Sequence, residues 1–156
     1  MNSLGRDPVR VELAHHFSVG LREGFEYITD LSNWPDYWPD LLGIEPGSRW
    51  KEPGDRARLA LRLLGRKTEM AMTLERIEPD RLVEYATTQS GLPEAHHERH
   101  FADDGQGGLD YRLVVEYVPR RGARGLFDRL VLRRGIRRAL GKTVSNLEAR
   151  FAAQAR

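Results

Sequence analysis

The order of hydrophobic and polar positions along the chain predicts a strand, two short helices, a run of strands and a long final helix. Residues 9–18 alternate between apolar and polar types, as a strand with one buried face does. Leu21, Phe25 and Ile28 then recur at the spacing of a helix that buries one side. The two prolines that follow, Pro35 and Pro39, break this pattern and predict a second, short helical turn.

Further alternating segments between residues 41 and 118 predict six more strands. Their predicted ranges are 41–50, 56–65, 69–75, 81–88, 94–101 and 110–118. Glycine, proline and aspartate separate several of these segments, and the Gly-rich stretch 103–108 predicts a hairpin loop. Because consecutive strands joined by short turns pair antiparallel, we expect one antiparallel sheet of about seven strands.

From Ala123 the apolar period changes to that of one amphipathic helix. The apolar positions that share one face of this helix are Leu132, Ile136, Leu140, Val144, Leu147 and Phe151. Gly135 and Gly141 interrupt it, each at a cost of about 1 kcal/mol relative to alanine. These glycines are compatible with a close approach to the sheet, with room for a ligand, or with a kink.

Composition limits the possible classes of protein. A chain of 156 residues with 40% hydrophobic and 31% charged residues is typical of one soluble globular domain. The sequence has no cysteine, which excludes disulfides, thiolate nucleophiles and Cys-based metal sites. No apolar run approaches the roughly 20 residues that cross a bilayer, and the N-terminal residues lack the apolar core of a signal peptide. We therefore expect a cytoplasmic protein.

Positive charge is concentrated on the predicted final helix. The net charge is only +2, but nine basic residues and a single acid, Asp128, lie between Arg120 and Lys142. This segment is either a solvated helix face or a contact for an anionic surface.

The clearest local signature lies near the two helices, where Trp34 and Trp38 each stand beside a proline. Together with the order of elements, this region resembles the START-like (SRPBCC) superfamily, particularly its bacterial polyketide cyclase/dehydrase and lipid transport branch. The resemblance covers residues 9–151. The segments that carry it are Phe25-Glu-Tyr-Ile-Thr-Asp30, Asn33-Trp34-Pro35, Pro46-Gly47, Gly54-Asp55 and the Gly-rich turn before Tyr111-Arg-Leu-Val-Val-Glu-Tyr117.

This resemblance implies an α+β helix-grip fold, in which a curved antiparallel sheet of about seven strands wraps around the long C-terminal helix. Two short helices would follow the first strand. The whole chain, 1–156, would be one START-like domain with its core at about 9–151. The sequence departs from the family at Gly20 and Gly24, where the family has a proline and a bulky apolar residue. We expect a looser start of the first helix there.

The resemblance also implies a ligand cavity between the sheet and the C-terminal helix. The wall would come from Leu59, Leu61, Leu63, Met70, Met72, Tyr111, Leu113 and Val115 of the strands and from Leu140 and Val144 of the helix. Trp34, Tyr37 and Trp38 would lie near the mouth. The same side chains could instead fill a solid core.

Polar side chains that face inward would orient a ligand. If Phe101 faces inward, then Arg99 and His97 do too, and Arg99 becomes the best candidate for a polar ligand contact. The opposite facing would turn a second set inward, consisting of His96, Glu98 and His100. In an enzyme, Tyr85, Tyr111, His97 and Arg99 could orient the substrate or move protons. We expect no metal, although two histidines and a carboxylate on one strand face could in principle hold zinc.

The expected function is binding of a small hydrophobic ligand, such as a lipid, polyketide or aromatic metabolite, in this cavity. Whether turnover occurs is open, and an enzyme would resemble a polyketide cyclase or dehydratase. No cofactor is expected, since no dinucleotide fingerprint and no phosphate-binding Gly loop are present. The alternative is a peripheral interaction protein whose basic C-terminal helix contacts anionic lipid, RNA or an acidic partner. Nucleic acid is the partner least expected.

Overall fold

The computed structural model describes residues 7–156; the expectation about a signal peptide rests mainly on residues that lie outside this range. The strands are β1 (Val9–Phe17), β2 (Leu41–Ile44), β3 (Arg56–Leu63), β4 (Arg66–Glu78), β5 (Leu82–Gln89), β6 (Ala95–Asp103) and β7 (Leu109–Tyr117). The helices are α1 (Leu21–Thr29), α2 (Trp34–Tyr37), α3 (Ala123–Phe127) and α4 (Arg133–Gln154). A 3-10 turn, Leu31–Asn33, precedes α2, and a π-helical turn, Asp128–Leu132, joins α3 to α4.

All seven strands form one antiparallel sheet in the order β1-β7-β6-β5-β4-β3-β2. β1 is one edge strand of the sheet and pairs with β7, with Val9 opposite Tyr117 and Phe17 opposite Leu109. The predicted helix-grip fold is confirmed. The predicted strand 41–50 was too long: the regular strand β2 ends at Ile44, and a turn with Gly47 at a positive φ interrupts it before Arg49 bonds again to Arg56.

Helix α4 lies across the sheet and buries the C-terminal half of its apolar stripe. Val144, Leu147 and Phe151 are buried there. The ring of Phe151 packs edge-on against Phe17 of β1, with 5.2 Å between ring centroids, and against Tyr27 of α1 at 5.5 Å. These contacts hold the sheet, α1 and α4 together at one end of the molecule.

Gly24 allows α1 to pack closely against the sheet. A Cβ atom at this position would lie 2.6 Å from Leu109 Cδ2 of β7 and 3.3 Å from Val19 Cγ1. The residue is buried in α1. A larger side chain here would require Leu109 or Val19 to shift, so glycine suits the close packing of α1 on β7. The expected looser helix start stays a prediction.

The sequence pattern predicted one regular amphipathic helix after residue 123. The segment 123–154 is helical throughout, but a π-helical turn divides it into α3 and α4. The π-helical turn follows α3, and Asp128 at its start is fully buried. Arg120 donates to the Asp128 carboxylate from its backbone N–H at 2.8 Å, from Nε at 3.0 Å and from Nη2 at 2.7 Å. The Tyr117 hydroxyl donates to the Asp128 carbonyl oxygen. This cluster joins the π-helical turn to the end of β7.

None of the helices in residues 7–156 combines the length and the apolar character needed to cross a bilayer.

Candidate functional site

A cavity of about 400 Å³ lies between the inner face of the sheet and the first half of α4. β3 to β7 supply one wall, and residues from Leu132 to Thr143 supply the other. Several exposed residues of its lining mark the mouth, which lies between the β3–β4 turn and α4: Arg62, Leu64, Gly65, Arg138 and Lys142.

Gly135 of α4 lies opposite this turn. A Cβ at Gly135 would lie 3.2 Å from Leu64 Cδ2, whereas Gly141 has no neighbour within 4 Å of an added Cβ. The sequence left three explanations for this glycine: close approach to the sheet, room for a ligand, or a kink. The short distance to Leu64 favours close approach of the β3–β4 turn to α4 at the mouth.

The cavity brings together ten of the side chains that the sequence analysis selected. They are Trp38, Leu61, Leu63, Met70, Tyr85, His97, Arg99, Leu113, Val115 and Leu140. Most are aliphatic or aromatic, so the wall is largely apolar. Their role as ligand contacts stays a prediction.

Six further predicted residues lie in the packed core and not against this cavity. They are Trp34, Tyr37, Leu59, Met72, Tyr111 and Val144, all buried. Trp34 and Tyr37 of α2 are directed at α1, since Trp34 Nε1–H and the Tyr37 hydroxyl both donate to the Ile28 carbonyl oxygen, at 3.2 and 2.6 Å. Trp34 and Tyr37 therefore do not lie near the mouth, where we expected them.

Arg99 is the most unusual residue of the site, because its guanidinium is buried and no carboxylate within residues 7–156 forms an ion pair with it. Its Nη1 donates a long hydrogen bond of 3.4 Å to the Tyr37 hydroxyl. The guanidinium carbon lies 5.3 Å from the ring centroid of Trp38 and 5.4 Å from that of Tyr85. Nε has no hydrogen-bond partner among the described residues. Aromatic rings thus surround a buried cation that retains donor capacity.

The phenols near Arg99 do not neutralise its charge. Burial raises the pKa of Tyr37 to about 12, although the Arg99 charge opposes this shift. Burial also raises the pKa of Tyr111, whose hydroxyl has no hydrogen-bond partner. Both phenols are therefore neutral near pH 7, and the positive charge of Arg99 is uncompensated.

His97 faces the same cavity, two residues before Arg99 on β6. Its ring stacks on Tyr85, with centroids 4.5 Å apart and an interplanar angle of 10°. Its Nε2 lies 2.8 Å from Thr87 Oγ1, in a hydrogen bond whose direction depends on the tautomer. Burial, and then the charges of Arg99 and His96, lower the pKa of His97 to about 3. The imidazole is therefore neutral at physiological pH.

This low pKa makes His97 a source of acid sensitivity. Above the ordinary pKa of 6.5 the residue is neutral in both states; as pH falls from there towards about 3, only the unfolded chain takes up the proton. Stability is therefore lost as pH falls through this window, by at most about 1.4 kcal/mol per pH unit for this group. His97→Phe can keep the ring stacked on Tyr85 but has no group that titrates. Between about pH 7 and pH 5, its free energy of unfolding should therefore fall by roughly 1–2 kcal/mol less than that of the parent protein. Urea titrations at the two pH values measure this, and parallel losses in both proteins would contradict it.

The facing of β6 that would turn His96, Glu98 and His100 inward does not occur. These side chains lie on the outer face of the sheet, away from the cavity. His96 Nδ1 is 3.2 Å from Glu75, and His100 Nε2 is 3.1 Å from Glu98. Ligand atoms of Glu84, His96 and Glu98 come within 4.8 Å of one another, but these contacts already engage two of the three residues. The outer cluster is not part of the cavity.

Several lining residues were not selected from the sequence. They include Thr87, Gln89, Leu92, Pro93, Ala95, Tyr117, Leu132, Ile136, Ala139 and Thr143. A signal was present for Thr87 and Gln89, because they share the alternating face of β5 with Tyr85. Leu92 and Pro93 lie in the β5–β6 connection and carry no such periodic signal.

The sequence matches the family of polyketide cyclase/dehydrase and lipid transport proteins over residues 8–152, and the chain belongs to this family. Its fold resembles an aromatase/cyclase, ZhuI, from a Streptomyces species, with a TM-score of 0.83 and 14% identity over 96% of this chain and 97% of that chain. A Thermus thermophilus protein gives 0.78 and 15% identity over 95% and 100% of the two chains. A START superfamily protein from Mycobacterium smegmatis gives 0.75 and 11% identity over 93% and 98%. No curated protein matches this chain.

At these identities, the solved structures establish the fold alone. The family and the cavity together define a hydrophobic ligand-binding fold. The chemistry of any ligand has to be argued from the side chains of this chain.

Proposed function

We propose that the protein binds a small hydrophobic molecule whose apolar body lies in the cavity and whose anionic or enolic oxygen group contacts Arg99. The observation that carries this proposal is the buried guanidinium without a carboxylate partner. A cavity of about 400 Å³ falls within the range of about 300–1,000 Å³ that is typical of small-molecule sites.

The electrostatics of Arg99 favour an anionic head group. Removing a cation from water costs several kcal/mol, and the neighbouring aromatic rings and one long hydrogen bond recover only part of this. Arg99 lines the cavity, and its guanidinium has more N–H donors than the one bond to Tyr37 uses, so a ligand oxygen in the cavity can accept from it. Charge-assisted hydrogen bonds are stronger than neutral ones and gain further strength where water is excluded. A carboxylate, phenolate or enolate oxygen would therefore stabilise both the ligand and the site.

Proton transfer receives less support than binding. Efficient general bases have a pKa near the working pH, and the pKa of His97 lies far below it. A cyclase or dehydratase activity would therefore depend on holding a flexible chain in a folded shape beside Arg99, more than on strong acid–base chemistry. Binding is the function that the geometry supports best.

Two fluorescent probes that differ in one group test the role of Arg99. Anilinonaphthalene sulfonate carries an anionic group, and N-phenylnaphthylamine has the same ring system without it. Arg99→Met should weaken sulfonate binding at least about tenfold, because a desolvated charge pair contributes more than about 1.4 kcal/mol. Binding of the neutral probe should change by less than about twofold. Fluorescence titrations measure both affinities.

Arg62→Met is the matched control, because Arg62 is an exposed arginine at the mouth of the same cavity. It should leave the affinity for both probes near that of the parent protein. Equal losses for both probes in a folded Arg99→Met variant would point to a packing role. Unchanged sulfonate binding would refute the head-group assignment.

A further inference from the structure

The segment that joins β7 to α4 exposes both apolar and basic side chains beside the cavity mouth. Leu126, Leu130 and Val131 are 60%, 61% and 46% exposed, and they account for half of the large hydrophobic residues that are exposed in residues 7–156. Leu126 lies in the last turn of α3, and Leu130 and Val131 lie four and five positions later in the π-helical turn, so the three side chains are exposed on one short segment. Folding leaves this aliphatic patch in water.

Basic side chains surround the patch without acidic partners. Asp128, the one acid between residues 120 and 142, is buried and bonded to Arg120. None of the eight basic side chains from Arg121 to Lys142 forms an ion pair in the part of the chain that the structure describes. All eight are exposed. The positive field of this end is therefore uncompensated by the protein itself.

The patch and the mouth lie at the same end of the molecule. Leu132 follows Val131 directly and turns inward to line the cavity, and Gly135 lies against Leu64 of the β3–β4 turn. Leu64 is itself 49% exposed, and Arg138 and Lys142 belong to the mouth. A surface that covers Leu130 and Val131 would lie next to the entrance of the cavity.

We propose that this end of the protein, defined by Leu126, Leu130, Val131, Arg129, Arg133 and Arg137, docks on the surface of an anionic lipid bilayer. Aliphatic side chains flanked by arginines are typical of helices that lie in the membrane interface, where the apolar groups enter the acyl boundary and the cations contact lipid phosphates. An RNA partner would use the arginines but leave the leucines in water, and this patch offers it no aromatic stacking platform. Docking would bring the cavity mouth to the bilayer.

Charge reversal tests the electrostatic half of this proposal. The purified protein is sedimented with vesicles of phosphatidylcholine containing about a third phosphatidylserine, and with vesicles of phosphatidylcholine alone. The parent should prefer the anionic vesicles, in a salt-dependent way. Arg133→Glu with Arg137→Glu should weaken this binding at least about tenfold, because each basic residue near an anionic surface contributes and its reversal adds repulsion.

Arg49→Glu with Arg56→Glu is the matched control, with the same change in charge. These arginines are exposed where residue 49 pairs with the start of β3, at the end of that strand away from the mouth. The control should bind anionic vesicles as the parent does. Absence of parent binding, or equal losses in both double variants, overturns the proposal.

Leu130→Ser tests the apolar half, with the similarly aliphatic Leu42→Ser as its control. Leu130→Ser should weaken vesicle binding severalfold, because the leucine side chain would leave water on docking. Leu42→Ser should leave vesicle binding unchanged, since Leu42 is 49% exposed but lies on β2. If Leu130→Ser binds vesicles as the parent does, or if the parent prefers an RNA or polyglutamate probe to the vesicles, the bilayer is not the partner. Both measurements are made without a cavity ligand, so they remain separate from the probe titrations.

Discussion

Leu61→Trp is expected to reduce the affinity for both fluorescent probes at least about tenfold while the protein stays folded. Leu61 is buried on β3, and its side chain lines the cavity. An indole at this position can extend into open space instead of displacing packed neighbours, so it should occupy the volume that a ligand needs. The loss should affect the neutral and the anionic probe alike, in contrast to the selective effect of Arg99→Met.

Leu59→Trp is the matched control, two residues earlier on the same strand and the same face. Leu59 is buried in the core and does not line the cavity. An indole there has to displace packed atoms, so we expect the free energy of unfolding to fall by about 1–3 kcal/mol. Urea titrations and probe titrations of both variants distinguish the two positions. Unchanged probe binding in folded Leu61→Trp would mean that the probes bind elsewhere.

Asp128→Ala is expected to lower the free energy of unfolding by about 2–3 kcal/mol, because it removes buried, charge-assisted hydrogen bonds. Burial opposes ionisation of Asp128, but the hydrogen bonds from Arg120 outweigh it and lower the pKa of the carboxyl. Alanine would remove the acceptor of three Arg120 hydrogen bonds and leave a cavity at a fully buried position. The π-helical turn would then lose its side-chain connection to Arg120 at the end of β7.

Asp36→Ala provides the comparison, because Asp36 also pairs with an arginine, Arg150, at 3.3 Å. Both side chains of this pair are about half exposed, Arg150 at 49% and Asp36 at 42%. Exposed ion pairs contribute only about 0–1 kcal/mol, so this variant should remain close to the parent. Equal stability losses in the two variants, measured by urea denaturation, would show that burial does not determine the strength of the Arg120–Asp128 pair.

The sequence pattern predicted the order of elements and an antiparallel sheet, because strand alternation and helical period are local properties; the helix-grip arrangement of these elements came from the family resemblance. β3 and β4 show this most clearly, since a one-residue slip would turn Leu59 and Leu61 away from the interior. Strand ends were harder to predict: the segment 41–50 contains enough apolar residues to suggest one strand, but the turn at Gly47 interrupts the regular strand after Ile44. The π-helical turn had no signal, because the apolar residues around it continue a helical period.

The sequence by itself determined which side chains of a clearly alternating strand such as β3 share the inner face, and only the tertiary structure decided the facing of β6 and which inner side chains border open space. Leu59 and Leu61 carry the same signal, yet one lies in the packed core and the other lines the cavity. Their environments differ because Leu59 belongs to the buried core that includes Trp34 and Tyr37, while the first half of α4 leaves room at Leu61. The alternation of apolar and polar residues specifies which face of the sheet each side chain of a strand lies on. Whether that side chain lies in the packed core or borders the cavity depends on distances between elements that are far apart in the chain. These distances are set by how all the helices and strands pack together.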